Sequence, residues 1–117
     1  MRVLIVDDEQ ALLVCLKMFL ESPEMTVDTA ETLEIALRFI TEEKYDYIIS
    51  DVRLNGALGE EGLDILKFVK QHRQGTRVII ITGYDKQEIK RKAYRLGADY
   101  YFEKPVSANV LLDAMKK

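Results

Sequence analysis

The sequence has few of the residues that mark secreted, membrane or thiolate-metal proteins. Its 117 residues include one cysteine, one histidine, two prolines and no tryptophan. A single cysteine cannot form an internal disulfide, which fits a reducing cytoplasm. Apolar runs such as residues 78–81 are far too short to span a bilayer. Acidic residues end the apolar start of the chain after residue 6, which argues against a signal peptide. We therefore expect a cytoplasmic protein.

What the sequence does contain is enough apolar material for one core. Hydrophobic residues make up 48% of the chain, and no repeat or linker divides it, so we expect a single domain over residues 1–117. The net charge of −3 offers no general attraction to nucleic acid. Five short apolar segments predict strands, at residues 2–6, 25–29, 46–50, 77–82 and 98–102.

Helical patterns follow each predicted strand. They cover residues 9–21, 31–43 and 63–72, a segment from Asp85 to Gly97, and a last one from Ser107 to the C-terminus. Asp85 and Glu88 have the spacing of a capping box, and Ser107 is suited to cap the last helix. Alternating strands and helices predict an α/β fold with a doubly wound, five-stranded parallel sheet and five helices.

The first predicted helix carries an apolar stripe. Leu12, Cys15, Met18 and Phe19 recur at helical spacing, so we expect this stripe to face the core. Cys15 is accordingly predicted to be a core thiol.

Chemically active residues follow the strand ends. They are Asp7, Asp8 and Glu9 after the first strand, Asp51 after the third, Thr82 at the end of the fourth, and Lys104 after the fifth. Ligands of open parallel sheets bind beyond the carboxyl ends of the strands. We therefore expect a pocket that contains several carboxylates, a hydroxyl and an ammonium group.

Such a pocket is suited to a metal ion and a phosphoryl group. Two like charges about 4 Å apart repel by roughly 4 kcal/mol at an effective dielectric of about 20, so the carboxylates must take up protons or hold a cation. Hard oxygen ligands without nearby histidine or cysteine favour Mg²⁺ over zinc, with Mn²⁺ as a substitute. A carboxylate such as Asp51 is a nucleophile toward phosphorus, and Lys104 and Thr82 would hold the phosphoryl oxygens.

Each of these residues also has an ordinary interpretation. Asp7 and Asp8 could simply cap the first helix and favour its dipole. Asp51 could be a turn residue, and Thr82 could be a β-branched strand end. Their convergence at one sheet edge favours a shared site.

Four segments resemble the receiver domain of bacterial two-component response regulators. They are VLIVDDE at 3–9, YIISD at 47–51, IITGY at 80–84 and GADYYFEKP at 97–105, and the likeness covers essentially the whole chain. The resemblance implies a flavodoxin-like fold and a phosphoacceptor that receives its phosphoryl group from the phosphohistidine of a histidine kinase or histidine phosphotransfer protein. It implies a conformational switch that controls an output domain or partner. It does not imply an enzyme, because the domain would catalyse only its own phosphorylation and dephosphorylation.

The resemblance also assigns roles to individual positions. Asp51 falls on the phosphoryl acceptor, and Thr82 and Lys104 fall on the residues that bind the phosphoryl group. Tyr101 falls on the aromatic switch residue. The implied Mg²⁺ ligands are Asp8, Asp51, the backbone carbonyl of Arg53 and, mainly through water, Asp7.

In this family the fourth helix, fifth strand and fifth helix form the surface for an output domain or a homodimer. No direct contact with nucleic acid or membrane is implied. The fourth helix carries a basic run of Lys86, Lys90, Arg91, Lys92 and Arg95. This run is either a solvated face or part of a partner-binding surface.

One region departs from the family pattern. Asn55 stands where a proline is usual, and Gly62 lies 11 residues after Asp51, so the intervening loop is longer than expected. Surface loops tolerate such insertions, and the ligands themselves are not affected.

Two other functions were weighed against this one. A phosphatase of the haloacid dehalogenase type needs a second acid two residues after its nucleophile, where this chain has Arg53. A nucleotide-binding loop could use the repeated glycines of residues 56–62, but no Lys-Ser/Thr follows them and the acidic pair at 60–61 would repel phosphate. A module that only binds partners would not need the complete pocket.

Three further expectations concern single side chains. His72 lies among polar residues near a helix end and is predicted to be a solvated surface residue. Cis X–Pro bonds are uncommon, but the resemblance implies one at Lys104–Pro105, which would direct the ammonium into the pocket. Arg53 and Tyr84 are predicted to point the same way, toward the pocket mouth.

Overall fold

The structure is a computed structural model that describes residues 1–54, 59–84 and 86–116. Its elements are β1 (Arg2–Val6), α1 (Gln10–Leu20), β2 (Thr26–Ala30), α2 (Leu33–Glu42), β3 (Tyr47–Asp51), α3 (Glu61–His72), β4 (Arg77–Thr82), α4 (Gln87–Arg95), β5 (Tyr100–Glu103) and α5 (Ala108–Lys116). The predicted alternation is confirmed, and the predicted ends differ from the observed ones by at most two residues.

The strands form one parallel sheet in the order β2-β1-β3-β4-β5. The register places Val6 beside Ser50, Asp51 beside Ile81 and Thr82 beside Glu103. The carboxyl ends of β1, β3, β4 and β5 therefore lie side by side at the same end of the sheet. This end is where the predicted site residues lie.

Each face of the sheet is covered by its own hydrophobic cluster. Alternate residues of β1 point to opposite faces, so Val3 and Ile5 pack with α1 and α5, whereas Leu4 and Val6 pack with α2, α3 and α4. Each fully buried aliphatic side chain of this kind contributes about 1.5–3 kcal/mol relative to an exposed one. Burial on both faces holds the strand ends in place around the site.

The predicted core face of α1 is wrong. Met18 and Phe19 are 76% and 70% exposed, and Cys15 is also exposed rather than a core thiol. The buried side chains of this helix are Leu13, Leu16 and Leu20. Both stripes have helical spacing, because α1 is apolar around much of its circumference, and spacing alone does not distinguish them.

Helix ends agree with the sequence where they are described. Ser107 accepts a hydrogen bond from the Val110 backbone N–H at 3.2 Å and caps α5 as predicted. Gly97 follows α4 with a φ of 107°, a left-handed conformation that favours glycine. The predicted capping box includes Asp85, which lies outside the described residues, as do Asn55 and Gly56 of the long loop. Across the described ranges, no helix is long and apolar enough to cross a membrane.

Candidate functional site

Three carboxylates meet at the carboxyl edge of the sheet. Asp7 and Asp8 follow β1, and Asp51 is the last residue of β3. Each offers an oxygen, and these oxygens all lie within 4.8 Å of one another. Asp7 is fully buried, Asp51 is 7% exposed and Asp8 is half-buried. The convergence predicted from the strand ends is therefore confirmed.

Lys104 links these carboxylates from the far end of the sequence. Its Nζ donates to Asp7 Oδ2 at 2.7 Å and to Asp51 Oδ2 at 3.0 Å. It also lies 3.6 Å from Glu9 Oε1, a more exposed carboxylate that was expected in the pocket but was given no role there. The Lys104–Pro105 peptide bond is cis, as predicted.

Burial and charge act in opposite directions on this ion pair. Burial raises the pKa of the Asp7 carboxyl above its ordinary value, although the hydrogen bonds from Lys104 and from the Glu9 backbone N–H lower it. Burial alone would lower the pKa of Lys104, but its bonds to Asp7 and Asp51 outweigh that effect and raise it. We expect a charged pair, because Asp7 accepts hydrogen bonds at 2.7 and 2.9 Å.

Thr82 is the last residue of β4, the strand beside β3, whereas Tyr101 lies within β5 at the edge of the sheet. Thr82 is fully buried, and its hydroxyl oxygen accepts a hydrogen bond from the Tyr84 backbone N–H at 2.9 Å. Its carbonyl accepts a bond from the Lys104 backbone N–H, also at 2.9 Å. The Tyr101 ring is only 8% exposed and packs in the core cluster on the α4 face of the sheet.

Arg53 and Tyr84 meet above the strand ends. The guanidinium carbon of Arg53 lies 3.1 Å from the centroid of the Tyr84 ring, a cation–π contact. Lys86 Nζ lies 4.9 Å from the same centroid. The hydrogen bond from Lys86 lowers the pKa of Tyr84, and the charges of Lys86 and Arg53 add to that effect. The shared direction of the two side chains was predicted, whereas their direct stacking was not.

The structural roles of two further residues were missed by the sequence analysis. A Cβ added at Gly62 would overlap the backbone carbonyl of Asp51, so α3 packs against the end of β3 as only glycine allows. Glu60 accepts a hydrogen bond from Lys92 at 2.8 Å and so connects the start of α3 to α4. For Gly62, the available sequence signal was a glycine at the end of the loop that follows the strand ending in Asp51. The ion pair left no signal in the sequence.

The donor set fits a small, hard divalent cation. Three carboxylates offer oxygens that lie close enough together to coordinate one ion, and no histidine or cysteine belongs to the cluster. Asp7, Asp8 and Asp51 are the side chains that could hold such an ion. The Arg53 backbone N–H lies 3.4 Å from Asp51 Oδ1, which places the loop that follows Asp51 beside the same cluster.

Comparison with known proteins agrees with this arrangement. The family profile described as "Response regulator receiver domain" matches residues 3–116. The chain belongs to the response regulator receiver family. It is therefore a signalling domain with a phosphoacceptor role in two-component systems.

Relatives of this receiver domain match it over nearly its whole length. Sporulation initiation phosphotransferase F of Bacillus subtilis is 32% identical, and the match covers 99% of this chain and 91% of that protein. A CheY-like receiver domain from Methanospirillum hungatei has a TM-score of 0.90 and 34% identity over 98% of this chain and 90% of that one.

A response regulator from Burkholderia pseudomallei has a TM-score of 0.88 and 26% identity, over 97% of this chain and 65% of that one. That crystal structure contains a phosphorylated aspartic acid, a calcium ion and citrate. The receiver domain also matches longer regulators, of which it spans between 42% and 59%. Together with the acidic cluster, these findings support the binding of a divalent metal ion.

Proposed function

We propose that Asp51 is the residue of this receiver domain that accepts the phosphoryl group. The observation that carries the proposal is the cluster of Asp7, Asp8 and Asp51, with the Lys104 ammonium bound to two of its members. Asp7 is less suited to the role, because it is fully buried and both of its oxygens accept hydrogen bonds. Asp51 retains some exposure at the strand end.

The donor is a phosphohistidine on a histidine kinase or histidine phosphotransfer protein. An Asp51 carboxylate oxygen attacks phosphorus opposite the bond to the histidine nitrogen. The new O–P bond forms as the N–P bond breaks, and the released ring nitrogen keeps the electron pair. Lys104 then binds one oxygen of the transferred group by charge and hydrogen bond. The Thr82 hydroxyl oxygen already accepts one bond, which leaves its proton to donate to another phosphoryl oxygen.

The metal ion is proposed to be Mg²⁺, for which Mn²⁺ would substitute. Asp8, Asp51 and the backbone carbonyl of Arg53 would hold it directly, and Asp7 mainly through water. When bound, the ion offsets the repulsion among the carboxylates and neutralises charge on the phosphoryl oxygens.

The conformational switch is proposed to use Thr82 and Tyr101. Phosphorylation would draw the Thr82 hydroxyl toward Asp51 and away from the Tyr84 backbone N–H. The space released favours the inward position of the Tyr101 ring, which is the position that the ring has here. Receiver domains interact with histidine kinases and output domains, and they can dimerise on activation. For this chain we propose that α4, β5 and α5 form the surface for an output domain or a homodimer, without direct contact to nucleic acid or membrane.

The wider setting belongs to the same proposal. The receiver domain is proposed to occupy residues 1–117, to act in the cytoplasm, and to catalyse only its own phosphorylation and dephosphorylation. Whatever it controls belongs to a partner or to another domain of a longer regulator.

Incubation with radiolabelled acetyl phosphate and Mg²⁺ tests the acceptor and the metal together. We expect about one label per chain, dependence on Mg²⁺ or Mn²⁺, and loss of labelling with EDTA. Asp51→Asn should abolish the label, whereas the exposed control Asp113→Asn on α5 should retain it. Equal labelling of Asp51→Asn and wild type would contradict the assignment. Rapid turnover of acetyl phosphate without retained label would indicate a phosphatase instead.

A further inference from the structure

Charged residues are divided unequally between the two halves of the chain. Residues 1–64 contain 15 acidic and 5 basic side chains, whereas residues 65–117 contain 5 acidic and 12 basic ones. The strand order β2-β1-β3-β4-β5 places β1 and β2 toward one edge of the sheet and β4 and β5 toward the other. The domain is therefore acidic toward the β2 edge and basic toward the β5 edge, although its net charge is only −3.

The basic charge is concentrated on α4. Five cations lie on this helix and its N-cap residue, namely Lys86, Lys90, Arg91, Lys92 and Arg95. Glu88 is the one acid in the same stretch. All six side chains are exposed, because the helix turns Ile89 and Ala93 toward the core. The nine residues of α4 rise about 14 Å, so the cations are crowded onto a short surface.

Contacts within the domain neutralise little of this charge. Lys92 pairs with Glu60 at 2.8 Å. For Arg91 and Arg95, no carboxylate among residues 1–54, 59–84 and 86–116 lies within 4.0 Å. Lys90 lies over an aromatic ring rather than beside an acid. Most of the positive charge of α4 is therefore available to another molecule.

An exposed aromatic residue lies within the basic face. Tyr94 follows Lys90 by four residues and Arg91 by three, so the three share one side of the helix, and Tyr94 is 45% exposed. Tyrosine and arginine are among the residue types that most often carry binding energy at protein interfaces. The centroid of the Tyr94 ring lies 6.4 Å from that of the Tyr101 ring. Lys90 Nζ lies 5.9 Å from the same Tyr101 centroid. A molecule bound here would contact the neighbours of the proposed switch residue.

We propose that the face of α4 formed by Lys90, Arg91, Tyr94 and Arg95, here called the basic face, binds an acidic segment of a partner protein. This inference rests on the proposed function, because it names the chemistry of the partner for the output surface. The segment would present several carboxylates over one or two helical turns, with an apolar side chain to cover Tyr94. Opposite charges would speed its association and fix its orientation.

Two other occupants fit the charges less well. A symmetric contact between the basic faces of two copies would place like cations opposite one another and cost free energy. Nucleic acid would meet the cations of α4, but it would also extend over a domain whose first 64 residues carry ten more negative than positive charges. A short acidic segment satisfies the basic face without either penalty.

Titration of the ¹⁵N-labelled domain with a short synthetic peptide tests the proposal. The probe has about two helical turns with glutamates on one side and a central leucine, and a second peptide has lysine in place of each glutamate. We expect the acidic peptide to shift amide resonances of α4 and its neighbours with a dissociation constant below about 1 mM. The affinity should fall several-fold between about 0.05 M and 0.3 M salt. The lysine peptide should not bind.

Charge-reversal variants separate local recognition from net charge. Arg91→Glu with Arg95→Glu should weaken binding of the acidic peptide at least about tenfold, which is about 1.4 kcal/mol. Arg38→Glu with Lys44→Glu changes the net charge equally at exposed positions of α2 and its end, and should leave the affinity nearly unchanged. Both double variants should still take up label at Asp51 from acetyl phosphate.

Several results would overturn the inference. They are no shifts at millimolar peptide, an equal loss of affinity in the two double variants, tighter binding of a DNA duplex of similar length, or dimerisation through α4 that the peptide does not displace. If Asp51 fails to take up label while the peptide still binds at α4, the proposed function fails and the basic face remains a docking site.

Discussion

At the scale of single residues, the contact between Arg53 and Tyr84 adds a feature that family membership alone does not supply. The two side chains come from different loops, after β3 and after β4, and stack at 3.1 Å. Neither offers a carboxylate or amide that could orient a water molecule. Hydrolysis of an aspartyl phosphate needs water in line with the bond that breaks. A stacked pair beside the acceptor would crowd that approach and prolong the lifetime of the phosphoryl group.

Removal of the stacked pair should therefore shorten the lifetime. We expect Arg53→Ala with Tyr84→Ala to lower the dephosphorylation half-life about tenfold, which corresponds to about 1.4 kcal/mol in the barrier. Loss of label over time, after acetyl phosphate is removed, measures it. Tyr94→Ala is the matched control, since that ring contacts Tyr101 and not Arg53. A half-life in the double variant that equals or exceeds that of wild type would rule out crowding.

At the scale of elements, the sequence predicts where strands and helices lie along the chain better than it predicts which side of a helix faces the core. Strand and helix order, the parallel sheet and the meeting of Asp7, Asp51 and Lys104 all follow from apolar runs and from residues at strand ends. The rotation of α1 does not, because two stripes of equal spacing compete for the core. Only the shape of the sheet face and the packing of α5 decide between them, and these are properties of the folded chain.

The rotation of α1 can be tested by paired substitutions. Leu16→Ala removes a side chain that is 3% exposed and should lower the free energy of unfolding by about 2–5 kcal/mol. Met18→Ala, at a residue 76% exposed, should change it by less than about 0.5 kcal/mol. Urea unfolding measures both. The exposed Cys15 should also react with a thiol reagent in the folded protein. If Cys15 is protected from the reagent and Met18→Ala destabilises the protein more than Leu16→Ala, the helix face expected from the sequence is the buried one.

At the scale of the whole molecule, the site depends on residues far apart in the chain. Asp7 and Lys104 are separated by 97 positions, yet they form the shortest ion pair of the acidic cluster. Thr82 connects this cluster to the α4 face, because its hydroxyl and its carbonyl bond to the chain on either side of α4, at Tyr84 and Lys104. In the proposed switch, a change at Asp51 would therefore reach α4 and β5 through Thr82, as a shift between two arrangements.

Loss of the Thr82 hydroxyl should uncouple α4 from the acceptor. We expect Thr82→Ala to reach a similar end point of labelling at Asp51, more slowly, while the accompanying shifts of α4 and β5 amide resonances fall below about half of their wild-type size. Thr82→Ser keeps the hydroxyl and should restore them. Full shifts in Thr82→Ala would show that the signal travels by another route.

Because Gly62 packs closely against β3, the position of Asp51 does not depend on the length of the loop between them. The Gly62 backbone N–H donates to the Val52 carbonyl at 2.8 Å, and the absence of a side chain lets α3 approach the Asp51 backbone. Both ends of the segment between Val52 and Gly62 are therefore fixed beside Asp51. We expect changes in the length or sequence of this segment to leave Asp51 in place. Such changes should therefore alter which partner proteins the domain recognises more than they alter its chemistry.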